Sequence, residues 1–127
     1  MERLLWICLA GAIGTGTRYL IGQWAGQRLG TGFPYGTLIV NVAGCFLIAV
    51  VVQTALNVAS FSPTLRLALT TGFLGGLTTY SSFAYETTRL AQDGALGVAF
   101  VNFSLTTLAC FGAVLLGLAF AQRLTGA

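Results

Sequence analysis

Residues 36–59 form an apolar stretch without one charged side chain, and no other feature constrains the fold of this chain as strongly. A helix needs about 20 apolar residues to cross a hydrocarbon core about 30 Å thick, since each residue adds about 1.5 Å. Three further stretches, at 4–26, 64–90 and 95–122, meet the same condition. The sequence therefore predicts an all-α membrane protein with a single domain, residues 1–127, whose four transmembrane helices cross a lipid bilayer.

Charged residues are too scarce to cover a water-facing surface. They make up 7% of the 127 residues, against about a quarter in soluble domains. All six basic residues are arginines, and the acids are only Glu2, Glu86 and Asp93. This inventory leaves little material for acid–base catalysis, so we do not predict an enzyme. The net charge of +3 is scattered, whereas nucleic-acid binders concentrate basic residues on one face, so nucleic acid is not an expected partner.

The three cysteines, Cys8, Cys45 and Cys110, lie in apolar stretches of the sequence. Their number is odd, and their spacing is neither that of a disulfide framework nor that of a zinc site. We interpret them as small hydrophobic residues.

The arginines are almost evenly divided between the two ends of the predicted helices. Four crossings place both termini on one side with Arg3, Arg66 and Arg123, and leave Arg28 and Arg89 on the other. Orientation follows the excess of basic residues in cytoplasmic loops, and three against two is almost no excess. Because four short helices alone hardly enclose a polar path, we expect two copies to form an antiparallel, dual-topology dimer.

The third apolar stretch is unusually rich in glycine and hydroxyl side chains, as the residues TTGFLGGLTTYSSF at 70–83 show. Gly72 and Gly76 are spaced as a small-xxx-small pair, which lets two membrane helices pack closely. The run of glycine and hydroxyl residues also favours a break in the third helix, where carbonyl groups could face a cation and donors an anion.

Residues 72–83 together with Glu86 resemble the third-helix signature of the Fluc (CrcB) fluoride ion channels. Gly14 with 18–19 is similar to the first-helix motif of that family, and 36–41 to the second-helix motif, so the resemblance covers the whole chain. It implies a passive, fluoride-selective ion channel, multi-pass in the bacterial cell (inner) membrane, that exports cytoplasmic fluoride and relieves its toxicity. It also implies an antiparallel dimer with two pores.

The resemblance further implies specific site residues. The main-chain carbonyls of Gly75 and Thr78 would hold a structural sodium ion at the dimer interface. Uncharged amides, hydroxyls and ring edges suit a dehydrated anion, because they donate without a fixed charge that binds it too tightly. The implied fluoride pore consists of Asn41, Tyr80, Phe83, Asn102 and Thr106, with Thr37, Ser81 and Ser82 beside it. Tyr80 and Cys110 depart from the family pattern, which commonly has phenylalanine and a hydroxyl residue at these positions.

Two ionisable residues near the membrane have competing interpretations. Arg18 could extend to the headgroups, or it could line a vestibule or pin the fold. Glu86 is interpreted as an interfacial carboxylate paired with Arg89 at i, i+3 spacing, in preference to a proton-coupling group.

The pore residues also have structural alternatives. Asn41 could join two helices through hydrogen bonds. Asn102 and Thr106 lie on one helix face, yet a threonine can bond back to its own helix. Tyr80 and Phe83 could be packing aromatics.

Two other functions fit a small membrane protein. A dual-topology proton-coupled exporter needs an acid deep in the membrane, and the acids here lie near the ends of the predicted helices. A non-conducting scaffold subunit needs the glycines but has no use for the hydroxyl residues.

Overall fold

The computed structural model of the protein describes all 127 residues and contains helices and no strands. Its elements are α1 (Glu2–Leu29), α2 (Tyr35–Asn57), α3 (Pro63–Leu67), a π-helix (Ala68–Leu74), α4 (Gly75–Leu77), α5 (Tyr80–Gln92) and α6 (Leu96–Thr125). The elements from α3 to α5 follow one another closely and are called here the third segment. The prediction of an all-α chain is confirmed.

Local sequence explains where the helices begin and end. Gly30 follows α1 with a φ of 86°, and Gly94 precedes α6 with a φ of 85°, a left-handed backbone that glycine adopts most readily. At the start of α3 the Ser62 hydroxyl accepts a hydrogen bond from the Leu65 amide at 3.3 Å. Pro63 occupies the first turn of α3, where its missing N–H costs no hydrogen bond.

Three helices, α1, α2 and α6, are long and apolar enough to cross a membrane. The third segment contains no uninterrupted helix of that kind, because two extended residues separate α4 from α5. Only 16 of the 127 residues are buried within the chain, and large apolar side chains face outward from all the long helices. This distribution is that of a protein whose surface is covered by lipid, and the chain is a membrane protein.

The third segment changes its packing partner at the break. Its first part, from α3 to α4, packs against α1, whereas α5 packs against α6. Helix α1 contacts neither α5 nor α6, and α6 does not contact the first part of the third segment. Helix α2 lies between these groups and contacts all of the other elements.

Glycines allow the close approach of α1 to the first part of the third segment. A Cβ atom on Gly72 would lie 2.7 Å from the Ile7 carbonyl oxygen, and one on Gly76 would lie 2.9 Å from the Thr15 amide nitrogen. A Cβ atom on Gly14 would meet the backbone of the third segment from the other side. Gly72 and Gly76 therefore pack against α1, as expected for a small-xxx-small pair. The same segment also contains the helix break.

Candidate functional site

The break in the third segment consists of Thr78 and Thr79, both of which have extended backbones. Their φ and ψ angles are −87° and 156° at Thr78 and −154° and 110° at Thr79. The Thr79 hydroxyl accepts a hydrogen bond from the Ser82 amide at 3.1 Å and so caps the start of α5. A break was predicted from residues 70–83, and the structure places it at the two threonines.

Asn41 of α2 hydrogen-bonds to the backbone of the break with both ends of its side-chain amide. Its Nδ2 donates to the Thr79 carbonyl at 3.0 Å, and its Oδ1 accepts from the Thr79 amide at 2.8 Å. Backbone groups at membrane depth need such partners, because no water is present in the hydrocarbon core to replace them. Asn41 is 9% exposed, and its Nδ2 carries a second N–H that this pair of bonds does not use.

The same arrangement leaves carbonyl groups next to the break without their helical amide donors. In an unbroken α-helix the Thr79 amide would donate to Gly75 O and the Ser82 amide to Thr78 O. The first amide donates to Asn41 Oδ1 instead, and the second to the Thr79 hydroxyl. Gly75 and Thr78 are therefore among the residues whose carbonyl oxygens lose their helical partners at the break.

Arg18 of α1 hydrogen-bonds to the third segment. Its Nε donates to the carbonyl oxygen of Gly76 at 3.0 Å, and the residue is half-buried. The guanidinium of Arg18 therefore lies at the packing interface between α1 and the third segment. This bond ties α1 to the last turn before the break.

A cavity of about 400 Å³ lies between α2, α6 and the third segment. We call it the central cavity. It occupies the gap that remains because α6 does not contact the first part of the third segment. Six of the residues predicted from the sequence line it together: Asn41, Gly75, Thr78, Tyr80, Phe83 and Thr106.

A second cavity of about 410 Å³, the outer cavity, lies in the opposite gap between α1 and α5. Thr37 and Glu86 line it, and they face each other. The Thr37 hydroxyl donates to Glu86 Oε1 at 2.9 Å, while Glu86 Oε2 is buried without a partner. Thr37 precedes Asn41 by one helical turn on α2, so about 6 Å of helix separates the linings of the two cavities.

The expected ion pair between Glu86 and Arg89 is wrong. Arg89 pairs with Asp93, at 3.4 Å between Nε and Oδ2, on the exposed surface. The reason is geometric: Glu86 faces α2 and its hydroxyl donor, whereas Arg89 and Asp93 are neighbours at i, i+4 spacing near the end of α5.

Asn102 and Thr106 belong to a chain of hydrogen bonds behind the central cavity. The Thr106 hydroxyl donates to Asn102 Oδ1 at 3.2 Å, and Asn102 Nδ2 donates to the Thr87 hydroxyl at 2.8 Å. Thr87 in turn donates to the Phe83 carbonyl at 2.7 Å. Asn102 is only 1% exposed, and Thr106 alone of the two lines the cavity. Sequence reasoning missed Thr87, although its i, i+4 spacing from Phe83 was visible.

The aromatic side chains form a short stack next to the break. The Tyr80 and Phe83 rings are tilted at 59°, with centroids 5.7 Å apart, and Phe83 stacks on Phe103 at 6.2 Å. Phe83 is 5% exposed but Tyr80 is 79% exposed, so the Tyr80 ring covers the outside of the cavity. Phe103 was not among the predicted residues.

Ser81 and Ser82 lie at the start of α5 and do not line the central cavity. Their hydroxyls lie 3.3 Å and 3.0 Å from the Thr79 hydroxyl. The two serines therefore contact Thr79 at the break and do not line the cavity together with Thr106.

Comparison with known proteins identifies the family to which this sequence is similar. The family described as "CrcB-like protein, Camphor Resistance (CrcB)" matches residues 5–118. A protein of Geobacter sp. (strain M21), named "Fluoride-specific ion channel FluC", is 48% identical over 124 residues, which are 98% of this chain and all of the relative. Proteins of the same name from Sorangium cellulosum (strain So ce56) and Acidobacterium capsulatum are 48% and 44% identical, over 98% and 96% of this chain and 98% of each relative.

Proposed function

This chain belongs to the CrcB-like family, and we propose on that basis that it is a fluoride-specific ion channel and not an enzyme. Among the structural observations, the proposal rests above all on the break at Thr78 and Thr79, which borders the central cavity. The outer cavity opens near the loops at 30–34 and 93–95, and the central cavity lies on the other side of the Thr37–Asn41 turn. A fluoride ion would pass from one to the other beside this turn.

The groups along this route suit a small anion. Asn41 retains one free N–H, and the ring edges of Tyr80 and Phe83 are close by. The hydroxyls of Thr37 and Thr106, which donate to Glu86 and Asn102 in this structure, would rotate to donate to fluoride. None of these five side chains carries a fixed positive charge, so fluoride would be solvated without being held permanently. Asn102 would accept from the Thr106 hydroxyl until that hydroxyl turns toward fluoride.

We propose that the third segment is the fourth crossing of the membrane and that two copies assemble in antiparallel orientation. The single chain exposes Tyr80 beside the central cavity and Gly75 before the break. A second copy would cover this face and complete the pore. The balance of arginines, three at one end and two at the other, favours insertion of the same chain in both orientations.

A structural sodium ion fits the carbonyl groups released at the break. Gly75 O and Thr78 O lack their helical amide donors, and oxygen ligands are those that a hard cation prefers. A Cβ atom on Gly75 would approach no atom of this chain closer than 3.7 Å, so packing within the chain does not require the glycine. A bound sodium ion would supply positive charge at the centre of the dimer, and each copy would contribute Gly75 and Thr78.

We place the channel in the inner membrane of a bacterium, since the relatives named above are bacterial. Conduction would be passive, and an inside-negative potential would drive fluoride outward with about 2.3 kcal/mol per 100 mV. Export of cytoplasmic fluoride relieves its toxicity.

The decisive experiment is anion efflux from liposomes that contain the purified chain as the only protein, with valinomycin to carry the compensating potassium current. We expect rapid fluoride loss without chloride loss. Thr106→Val removes the hydroxyl from the pore and keeps the side-chain shape, so fluoride loss should slow, while Thr125→Val at the far end of α6 serves as the matched control. Equal chloride and fluoride loss, or no flux from a correctly assembled protein, would refute the proposal.

A further inference from the structure

Two of the three cysteines face the same cavity. Cys45 of α2 and Cys110 of α6 both line the central cavity and are half-buried. Cys8 lies apart from them, exposed on α1. Cys45 and Cys110 are 65 positions apart, and no motif in the sequence connects them.

The packing of α2 and α6 explains why the two cysteines line the same cavity. The helices run in the same direction, and near their ends Asn57 Nδ2 donates to the Thr125 hydroxyl at 2.9 Å. Cys45 follows Asn41 by one helical turn, and Cys110 follows Thr106 by one turn. Residues at i, i+4 spacing share a helix face, so each cysteine extends a polar stripe along the wall of the cavity.

The donor set of this pair is that of a soft metal site. Thiolate ligands select soft ions such as Cu⁺ over hard ones. The chain brings no group of three or more His, Cys, Asp or Glu residues together, so the pair can supply two sulfur ligands and not the four of a structural zinc site. Two sulfur ligands are sufficient for soft ions that bind in linear geometry, such as Cu⁺ and Hg²⁺.

We propose that Cys45 and Cys110 bind one soft metal ion in the wall of the central cavity and that the bound ion stops fluoride conduction. Each thiol releases its proton to water when it binds the ion, so two protons leave per ion and no oxidant is needed. The effect on conduction rests on the proposed channel function. The metal would sit about 6 Å, one helical turn, from Asn41 and Thr106 and would tie α2 to α6.

Binding is tested without reference to conduction. In a Cys8→Ala chain only the pair remains, and Hg²⁺ is titrated in excess 2-mercaptoethanol while the ultraviolet sulfur-to-mercury absorption band is followed. We expect one ion per chain. Adding Cys45→Ala or Cys110→Ser should weaken binding roughly 100-fold, because one linked ligand is lost. Binding that is unchanged when either cysteine is replaced would overturn the site.

Conduction is tested in the same liposomes as the fluoride efflux. We expect Hg²⁺ to stop efflux through the Cys8→Ala chain, and dithiothreitol to restore it. The Cys8→Ala, Cys110→Ser chain should conduct fluoride and resist Hg²⁺. Block that persists in this variant would overturn the inference, as would uninterrupted efflux through the metal-loaded Cys8→Ala chain. Absence of fluoride efflux before any metal is added would instead refute the proposed function and leave the binding result standing.

Discussion

Asn41→Ala should destabilise the protein because it removes both hydrogen-bond partners of the Thr79 backbone. The substitution leaves one N–H and one C=O unpaired at membrane depth. An unsatisfied buried polar group costs about 1–3 kcal/mol, so the two together should lower the free energy of unfolding by about 2–6 kcal/mol. The higher part of this range applies if no water enters from the central cavity, which Asn41 lines.

Two other variants separate this effect from nonspecific damage. Asn57→Ala removes the same side chain from the exposed end of α2 and should cost less than about 1 kcal/mol. Thr79→Ala keeps both backbone bonds to Asn41 and loses the cap of α5 together with the hydroxyl contacts to Ser81 and Ser82, which should cost about 1 kcal/mol. Equilibrium unfolding by sodium dodecyl sulfate in mixed micelles, followed by circular dichroism, measures all three. If the Asn41→Ala protein were no less stable than the Asn57→Ala protein, the two hydrogen bonds from Asn41 would not be what stabilises the break.

Three further predictions follow from the packing and the polar contacts. Gly76→Ala should lower the thermal midpoint, since its Cβ would press on the backbone of α1 at a cost of about 1–3 kcal/mol, whereas Gly112→Ala, which meets open space, should leave the midpoint unchanged or raise it. Asn102→Ala should slow fluoride efflux from liposomes about tenfold or more, because it removes a hydrogen-bond partner from the Thr87 hydroxyl on α5 and from the Thr106 hydroxyl on α6. An unchanged rate would show that Asn102 has no role in conduction. Asp93→Asn should change the free energy of unfolding by less than about 1 kcal/mol, since its ion pair with Arg89 is exposed, and a larger loss in the same micelle assay would contradict that assignment.

The parts of the site that depend on local chemistry could be predicted from the sequence. The apolar stretches predicted the long helices, and the glycine and hydroxyl residues of 70–83 predicted the break. Each of these patterns is contained within a single segment of the chain. The partners across helices could not be derived in this way. Asn41 and Thr79 are 38 positions apart, and nothing near either residue identifies the other.

Glu86 shows why a local rule can fail. The i, i+3 spacing made Arg89 a reasonable partner, but the Thr37 hydroxyl, 49 positions away, faces the carboxylate. Asp93, at i, i+4 spacing from Arg89, is also a neighbour on the helix surface, and it forms the ion pair. Thr87 and Phe103 were missed for a similar reason, since their roles depend on how α5 packs against α6.

The change of packing partner at the break also bears on how the protein is made. Ribosomes deliver α1 and α2 first, and the stretch from α3 to α4 can dock on α1 as soon as it emerges, because it needs nothing from α6. Helix α5 has no partner on α1 and only limited contact with α2, so most of its packing must wait for α6, the last helix to be synthesised. Biogenesis would therefore proceed in two stages that meet at Thr78 and Thr79, and the site at the break would close only when the final helix enters the membrane.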